Sequence, residues 1–111
     1  MVLATLSEYL RREGFEVEAT TSPAAAIDLA RSRRFSLAIV DMRMPEMDGL
    51  AVGRALKALK QDFIFLTGQS ELGTSREPGN IGALGHIEKP ADPATVVAVV
   101  RRVLERRGNE A

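Results

Sequence analysis

The spacing of hydrophobic positions changes several times along the 111 residues, and each change marks an element boundary. Val2, Leu3, Leu6, Tyr9 and Leu10 recur at helical spacing, followed by Arg11, Arg12, Glu13 and then Gly14. That pattern predicts an amphipathic helix stopped by a glycine just past its end, where a left-handed backbone is needed. From Phe15 to Thr20 apolar residues alternate with Glu16 and Glu18, which predicts a strand with one wet face. Ser22-Pro23 starts a helix: the serine caps it, and proline occupies the first turn, where its missing N–H costs nothing. This helix runs through Ile27 and Ala30 to about Arg33.

Phe35 to Val40 is nearly continuous in apolar residues and ends at an acid, as expected of a strand buried on both faces of a parallel sheet. Asp48-Gly49 opens a helix carrying Leu50, Val52, Leu56 and Leu59. Phe63 to Leu66 is the next buried strand and Leu84 to Glu88 the last. Asp92-Pro93 repeats the cap-and-proline start, before a final helix with Val96, Val97, Val100, Val103 and Leu104. Strands that alternate with helices through short links predict an α/β domain, a parallel sheet with helices on both faces. One segment breaks the pattern. Between Thr67 and Gly85 a helix is due, yet Gly73, Pro78, Gly79 and Gly82 fall there. Glycine costs about 1 kcal/mol per helical position and proline about 3, so a frayed helix or mobile loop is expected.

Composition removes alternatives. Hydrophobic residues at 45% and charged residues at 27% fit a single globular domain and exclude a disordered or collagen-like chain. There is no cysteine, hence no disulfide framework or thiolate metal site. No apolar run approaches a membrane span, and the first six residues lack a signal-peptide pattern, so a cytoplasmic setting is expected. Fifteen basic residues balance fifteen acidic ones, which argues against direct nucleic-acid binding. Arg101, Arg102, Arg106 and Arg107 cluster in the last helix, and a solvated face explains such a cluster more often than a partner site does.

Candidate chemistry lies where parallel α/β sheets place it, beyond the carboxyl ends of the strands. Asp41, Thr67 and Lys89 each come directly after an apolar strand, so their side chains are expected on one rim. A carboxylate is a nucleophile toward phosphorus, a hydroxyl donates to a phosphoryl oxygen, and an ammonium neutralises another. Singly each has a plain reading, as cap, turn former or common dipeptide. Their order on successive strands is far more specific.

The stretch Ala38-Ile39-Val40-Asp41-Met42-Arg43-Met44-Pro45-Glu46-Met47-Asp48-Gly49 resembles the phosphorylation-site segment of two-component response-regulator receiver domains. Phe65-Leu66-Thr67-Gly68 resembles that family's switch-threonine strand, and Glu88-Lys89-Pro90 its lysine followed by proline. The likeness covers essentially the whole chain. It implies one receiver domain over residues 1–111 with the flavodoxin-like (βα)5 fold, and phosphoryl transfer to Asp41 from a histidine kinase or phosphotransfer protein. It further implies Mg²⁺ held by Asp41 and the Arg43 backbone carbonyl. Thr67 would track the phosphoryl group and Lys89 would pair with it.

Two departures stand against that pattern. Receivers begin with a buried strand ending in an acidic pair that holds Mg²⁺, whereas this chain starts in the first helix, so a weakened metal site and slow phosphorylation are expected. In the family's strand order, 2-1-3-4-5, the absent strand belongs between residues 15–20 and 36–40, which it would leave about 10 Å apart. Unpaired buried backbone is costly, so the gap is expected to close. The sheet rearranges, a second copy exchanges elements to give a swapped dimer, or the chain is a shortened form of a longer sequence. The second departure is His86, where many receivers carry Tyr or Phe as a rotating switch residue. Histidine would add a protonation step at about pH 6.5, and the plainer alternative is an exposed edge residue.

Two functions compete: a phosphoacceptor domain that switches a protein–protein interface, and a phosphorylation-independent interaction module of the same fold. A free-standing phosphatase is excluded by Arg43, which stands where a general acid would be needed and cannot exchange a proton.

Overall fold

A computed structural model describes residues 3–41, 49–67, 82–88 and 91–110. In chain order these form helix α1 (Leu3–Arg12), α2 (Pro23–Ser32), strand β1 (Ala38–Asp41), α3 (Gly49–Ala58), β2 (Phe63–Thr67), β3 (His86–Glu88) and α4 (Pro93–Glu110). The three strands make one parallel sheet in the order β1-β2-β3.

Local chemistry sets the element ends. Ser22 is the N-cap of α2, its hydroxyl accepting from the Ala25 N–H at 3.2 Å, with Pro23 next inside the first turn. Asp92 does the same for α4, accepting from the Thr95 N–H at 2.8 Å. At the end of α1, Gly14 has φ +96, the Phe15 N–H donates to the Leu10 carbonyl and the Gly14 N–H to that of Arg11. This pair of bonds is the Schellman closure, which a Cβ would strain. The α3 terminus repeats it with Lys60 at φ 60, the Gln61 N–H reaching the Leu56 carbonyl.

The core divides by sheet face. Leu6 and Leu10 of α1 and Val96, Val97, Val100 and Val103 of α4 pack with Ile64, Leu66 and Ile87 on one side. Val52 and Leu56 of α3 pack with Val40, Phe63 and Phe65 on the other, joined by Ala30 of α2. Helices therefore cover both faces, as the alternation of elements predicts. All five residues of β2 are buried, and the Phe63 and Phe65 rings meet edge to face at 5.4 Å.

Residues 15–20 depart from expectation: they form no strand. Their facing follows the alternation for Phe15 and Val17, half-buried against the α1/α4 core, and for the exposed Glu16 and Glu18, but Ala19, expected on the inner face, is exposed. The ladder is missing, because among the described residues no strand lies alongside to pair with. Residues 15–20 do not slide over to pair with β1, which overturns the expected rearrangement within the single chain. A part-open cleft of about 600 Å³ separates this segment from β1. It stays open because residues 15–20 are tied to the helices instead, through the Phe15 N–H to Leu10 and the Arg11 guanidinium to the Val17 carbonyl at 3.0 Å. The segment from 68 to 81, where a frayed helix or loop is expected, lies outside the described residues.

A buried side chain anchors the entry to β1. Gln61 accepts from the Phe35 N–H at 3.0 Å and donates to the Phe35 and Asp62 carbonyls at 2.9 and 3.0 Å. Removing one partner of buried backbone groups costs about 1–3 kcal/mol. Gln61→Ala should lower the unfolding free energy by about that amount in urea titration, with an unchanged m-value; no loss would show that the clasp holds nothing. Asp92 gives a second prediction. The Thr95 backbone N–H, and secondarily its side chain, hold this carboxyl below the ordinary carboxylate range. A depressed folded pKa adds stability above the unfolded pKa of about 3.9 and loses it as pH falls through the folded value. Asp92→Ala should therefore lower the thermal midpoint at about pH 7 and matter far less at about pH 2; equal effects at both would contradict the assignment.

Candidate functional site

The carboxyl ends of β1 and β2 form a rim. Asp41 is the last residue of β1 and Thr67 the last of β2. The register pairs Asp41 with Leu66, so Asp41 and Thr67 are one residue out of step on adjacent strands, roughly 6 Å apart at Cα from standard strand spacing. Strand alternation puts Thr67 on the same face as Phe63 and Phe65, and Asp41 on the face of Ile39, so the two side chains leave the carboxyl edge of the sheet on opposite faces.

Their environments differ. Asp41 is half-buried and already engaged in interactions of its own. Thr67 is fully buried, and its Oγ1 is, among the described residues, the buried side-chain polar atom with no hydrogen-bond partner. Such a hydroxyl costs about 1–3 kcal/mol against a partnered one. It stands at the end of the strand next to the one that ends in Asp41.

The rim's other expected members divide between placed and not described. His86 opens β3, paired with Phe65 and exposed on the sheet edge. Glu88 pairs with Thr67, and Lys89 and Arg43 lie outside the described residues. Among the described residues no three His, Asp or Glu side chains gather as a metal cage. Asp41 and Glu88 are the described carboxylates that end strands here, but β2 lies between their strands and separates them by about 10 Å. Of the two metal ligands expected at this rim, Asp41 is the one among the described residues, and Mg²⁺ tolerates retaining most of its waters.

Of the arginine cluster, Arg101, Arg102 and Arg106 are exposed. Arg101 bonds the Glu13 carboxylate at 3.2 Å and its carbonyl at 3.3 Å, and lies 5.8 Å from the Phe15 ring centroid, so it serves within the chain. No helix among the described residues is long and apolar enough to cross a membrane. The features that periodicity did not reveal are Gln61 and the cleft. Gln61 is one polar residue before an apolar run, and its partner Phe35 is 26 positions away.

A parallel sheet covered by helices on both faces, with a carboxylate and a buried hydroxyl ending adjacent strands, defines a flavodoxin-like α/β domain with a polar ligand rim. The family model described as the response regulator receiver domain matches residues 1–101, and the chain belongs to that family. It is 35% identical over 102 residues to the transcriptional regulatory protein SrrA of Staphylococcus aureus, covering 91% of this chain and 42% of that protein. The chain thus spans about two fifths of the length of the curated relatives it matches. Among solved structures, a CheY-like response regulator receiver domain protein from Methanospirillum hungatei superposes with TM-score 0.89 at 27% identity, over 98% of this chain and 89% of the other. Vibrio cholerae chemotaxis protein CheY4 superposes with TM-score 0.82 at 28% identity, over 90% and 87%. The chain is therefore a receiver domain of the two-component response-regulator type.

The orphan hydroxyl makes a prediction. Thr67→Val replaces it with a methyl group and should raise the unfolding free energy of the unmodified protein by about 1 kcal/mol. A loss of stability in calorimetry would mean that the hydroxyl is bonded in solution.

Proposed function

We propose that the chain accepts a phosphoryl group on Asp41 from a histidine kinase or phosphotransfer protein and thereby switches a protein–protein interface. The carrying observation is the buried, unpartnered Thr67 hydroxyl at the end of the strand next to Asp41. A carboxylate oxygen of Asp41 attacks phosphorus, the bond from phosphorus to the donor's imidazole nitrogen breaks, and that nitrogen keeps the electron pair. The acyl phosphate has an oxygen for Thr67 to donate to and a charge for Lys89 to neutralise. Mg²⁺, taken by Asp41 and the Arg43 carbonyl with water in its other positions, would shield charge at the same rim, and with so few protein ligands it binds weakly.

The switch is a population shift. Phosphorylation favours the conformer in which Thr67 is satisfied, and the neighbouring face of β3 and α4 presents a different surface to an output domain or a second receiver. His86, exposed on β3, reports or supports that change at the edge. A cytoplasmic setting goes with a histidine-kinase donor.

A second reading, a receiver-like module that works without phosphorylation, is favoured by the sparse carboxylates among the described residues. One experiment separates the two. Incubation with acetyl phosphate or phosphoramidate and Mg²⁺, followed by intact-mass measurement, should show slow gain of one phosphoryl group in the natural chain and none in Asp41→Asn. Absence of any gain at saturating phosphodonor and Mg²⁺ would leave the second reading standing.

A further inference from the structure

We infer that the corner of the sheet's amino edge, where the links into β1 and β2 meet, is a docking surface for an acidic segment of another polypeptide. Arg34, Lys57 and Lys60 carry it, with Arg33 at its border, and all four are exposed. Their backbones are held side by side. Arg34 and Lys60 are the sequence neighbours of Phe35 and Gln61, and the Gln61 side chain is bonded to the Phe35 N–H and carbonyl at 3.0 and 2.9 Å. The Lys60 N–H donates to the Lys57 carbonyl at 3.0 Å, so the two lysines stand one turn apart. The Arg33 guanidinium lies 4.6 Å from the Phe35 ring centroid.

These charges are left open. Arg31 pairs with Asp28 and Arg101 with Glu13, but the side chains of Arg34, Lys57 and Lys60 make no ion pair or hydrogen bond among the described residues. The acids around the corner are accounted for. Asp28 is taken by Arg31, Asp62 is half-buried and engaged, and Glu16 and Glu18 share a hollow with Arg11 and Arg33. Helix ends attract cations, which explains Arg31 and Lys57 in the last turns of α2 and α3. Lys60 needs a further reason. Its φ of 60 is left-handed, a backbone that strains a residue with a side chain and that glycine adopts freely, as Gly14 does at the end of α1. Lysine there gives up stability and sets a charge in the corner. Lys57 is steadied in turn by Gly82, where a Cβ would lie 3.0 Å from the lysine Cδ and 3.2 Å from its Nζ.

The patch is compact, a single turn and one link. A nucleic-acid strand or a flat anionic bilayer would extend past it onto Glu16 and Glu18, which repel phosphate. A short run of Asp or Glu fits within it, its carboxylates meeting Arg34 as a fork and the lysines as point charges. A second copy is a poor source, since no two acidic residues are adjacent anywhere in this sequence. Exposed ion pairs are individually weak and screened by salt, so such docking is weak and steeply dependent on ionic strength.

The test follows backbone amide shifts of the full chain during titration with a peptide of about six consecutive glutamates, and with its glutamine counterpart, at about 20 mM salt. Saturable shifts centred on Arg34 and Lys60 should appear with the glutamate peptide and vanish at about 300 mM salt. Lys60→Gly should weaken binding at least about threefold and at the same time raise the thermal midpoint, a combination that a merely structural lysine would not give. Arg34→Gln should weaken binding likewise. Arg12→Gln, which removes an exposed and unpaired cation at the end of α1, should not. Equal binding of the two peptides, unchanged binding in Lys60→Gly, or equal loss in Arg12→Gln would overturn the proposal. Tighter binding of oligodeoxythymidylate or of phosphatidylserine vesicles would also overturn it, assigning the corner to nucleic acid or to a membrane. Self-association of the free chain by sedimentation at the same salt, lost in Lys60→Gly, would overturn it in favour of a second copy. Asp41→Asn should bind the glutamate peptide as the natural chain does, which separates this result from phosphorylation.

Discussion

β2 has no exposed residue along Phe63–Thr67, and its side chains alternate between the two halves of the core. Burying such a strand requires pairing on both edges and a helix layer on both faces, since every backbone group has left water. That requirement fixes the positions of the other elements. β3 and β1 meet the first need, and α1, α4 and α3 meet the second. The ligand rim is a by-product. Parallel strands point their carboxyl ends the same way, so the residue just past each apolar run arrives at one edge.

That geometry also gives Asp41 and Thr67 their different characters. Thr67 ends the central strand, so its hydroxyl inherits full burial, whereas Asp41 ends a strand with one neighbour and remains half-exposed. The proposed phosphoryl transfer asks for access at the carboxylate and a dry site at the hydroxyl, and strand position provides both. The two are also one residue out of step in register and on opposite faces of the sheet.

How legible each part was in the sequence depends on the range of the interaction that fixes it. Ser22-Pro23, Asp92-Pro93 and Gly14 announce helix ends because a cap is completed within a few residues. Asp41 and Thr67 were readable because each comes directly after an apolar run that had to be a buried strand. Residues 15–20 show where that reasoning stops. Alternation predicts which side chains face inward, and Phe15 and Val17 do, but a strand is a pairing, and no local pattern reveals whether a neighbour is present. Gln61 was illegible for the same reason, since its worth lies in Phe35, which periodicity does not connect to it.

The link between Arg101 and the turn after α1 has a mechanical side. An ion pair with side chains 51% and 37% exposed holds by only about 0–1 kcal/mol, less than a helix terminus resists on its own. Yet Glu13 and Phe15 lead directly into one wall of the cleft, and Arg101 rides on the carboxyl-terminal helix 88 positions away. The pair works as a latch and not as a rivet. An acidic group that drew Arg101 away would part it from both Glu13 and the Phe15 ring at once.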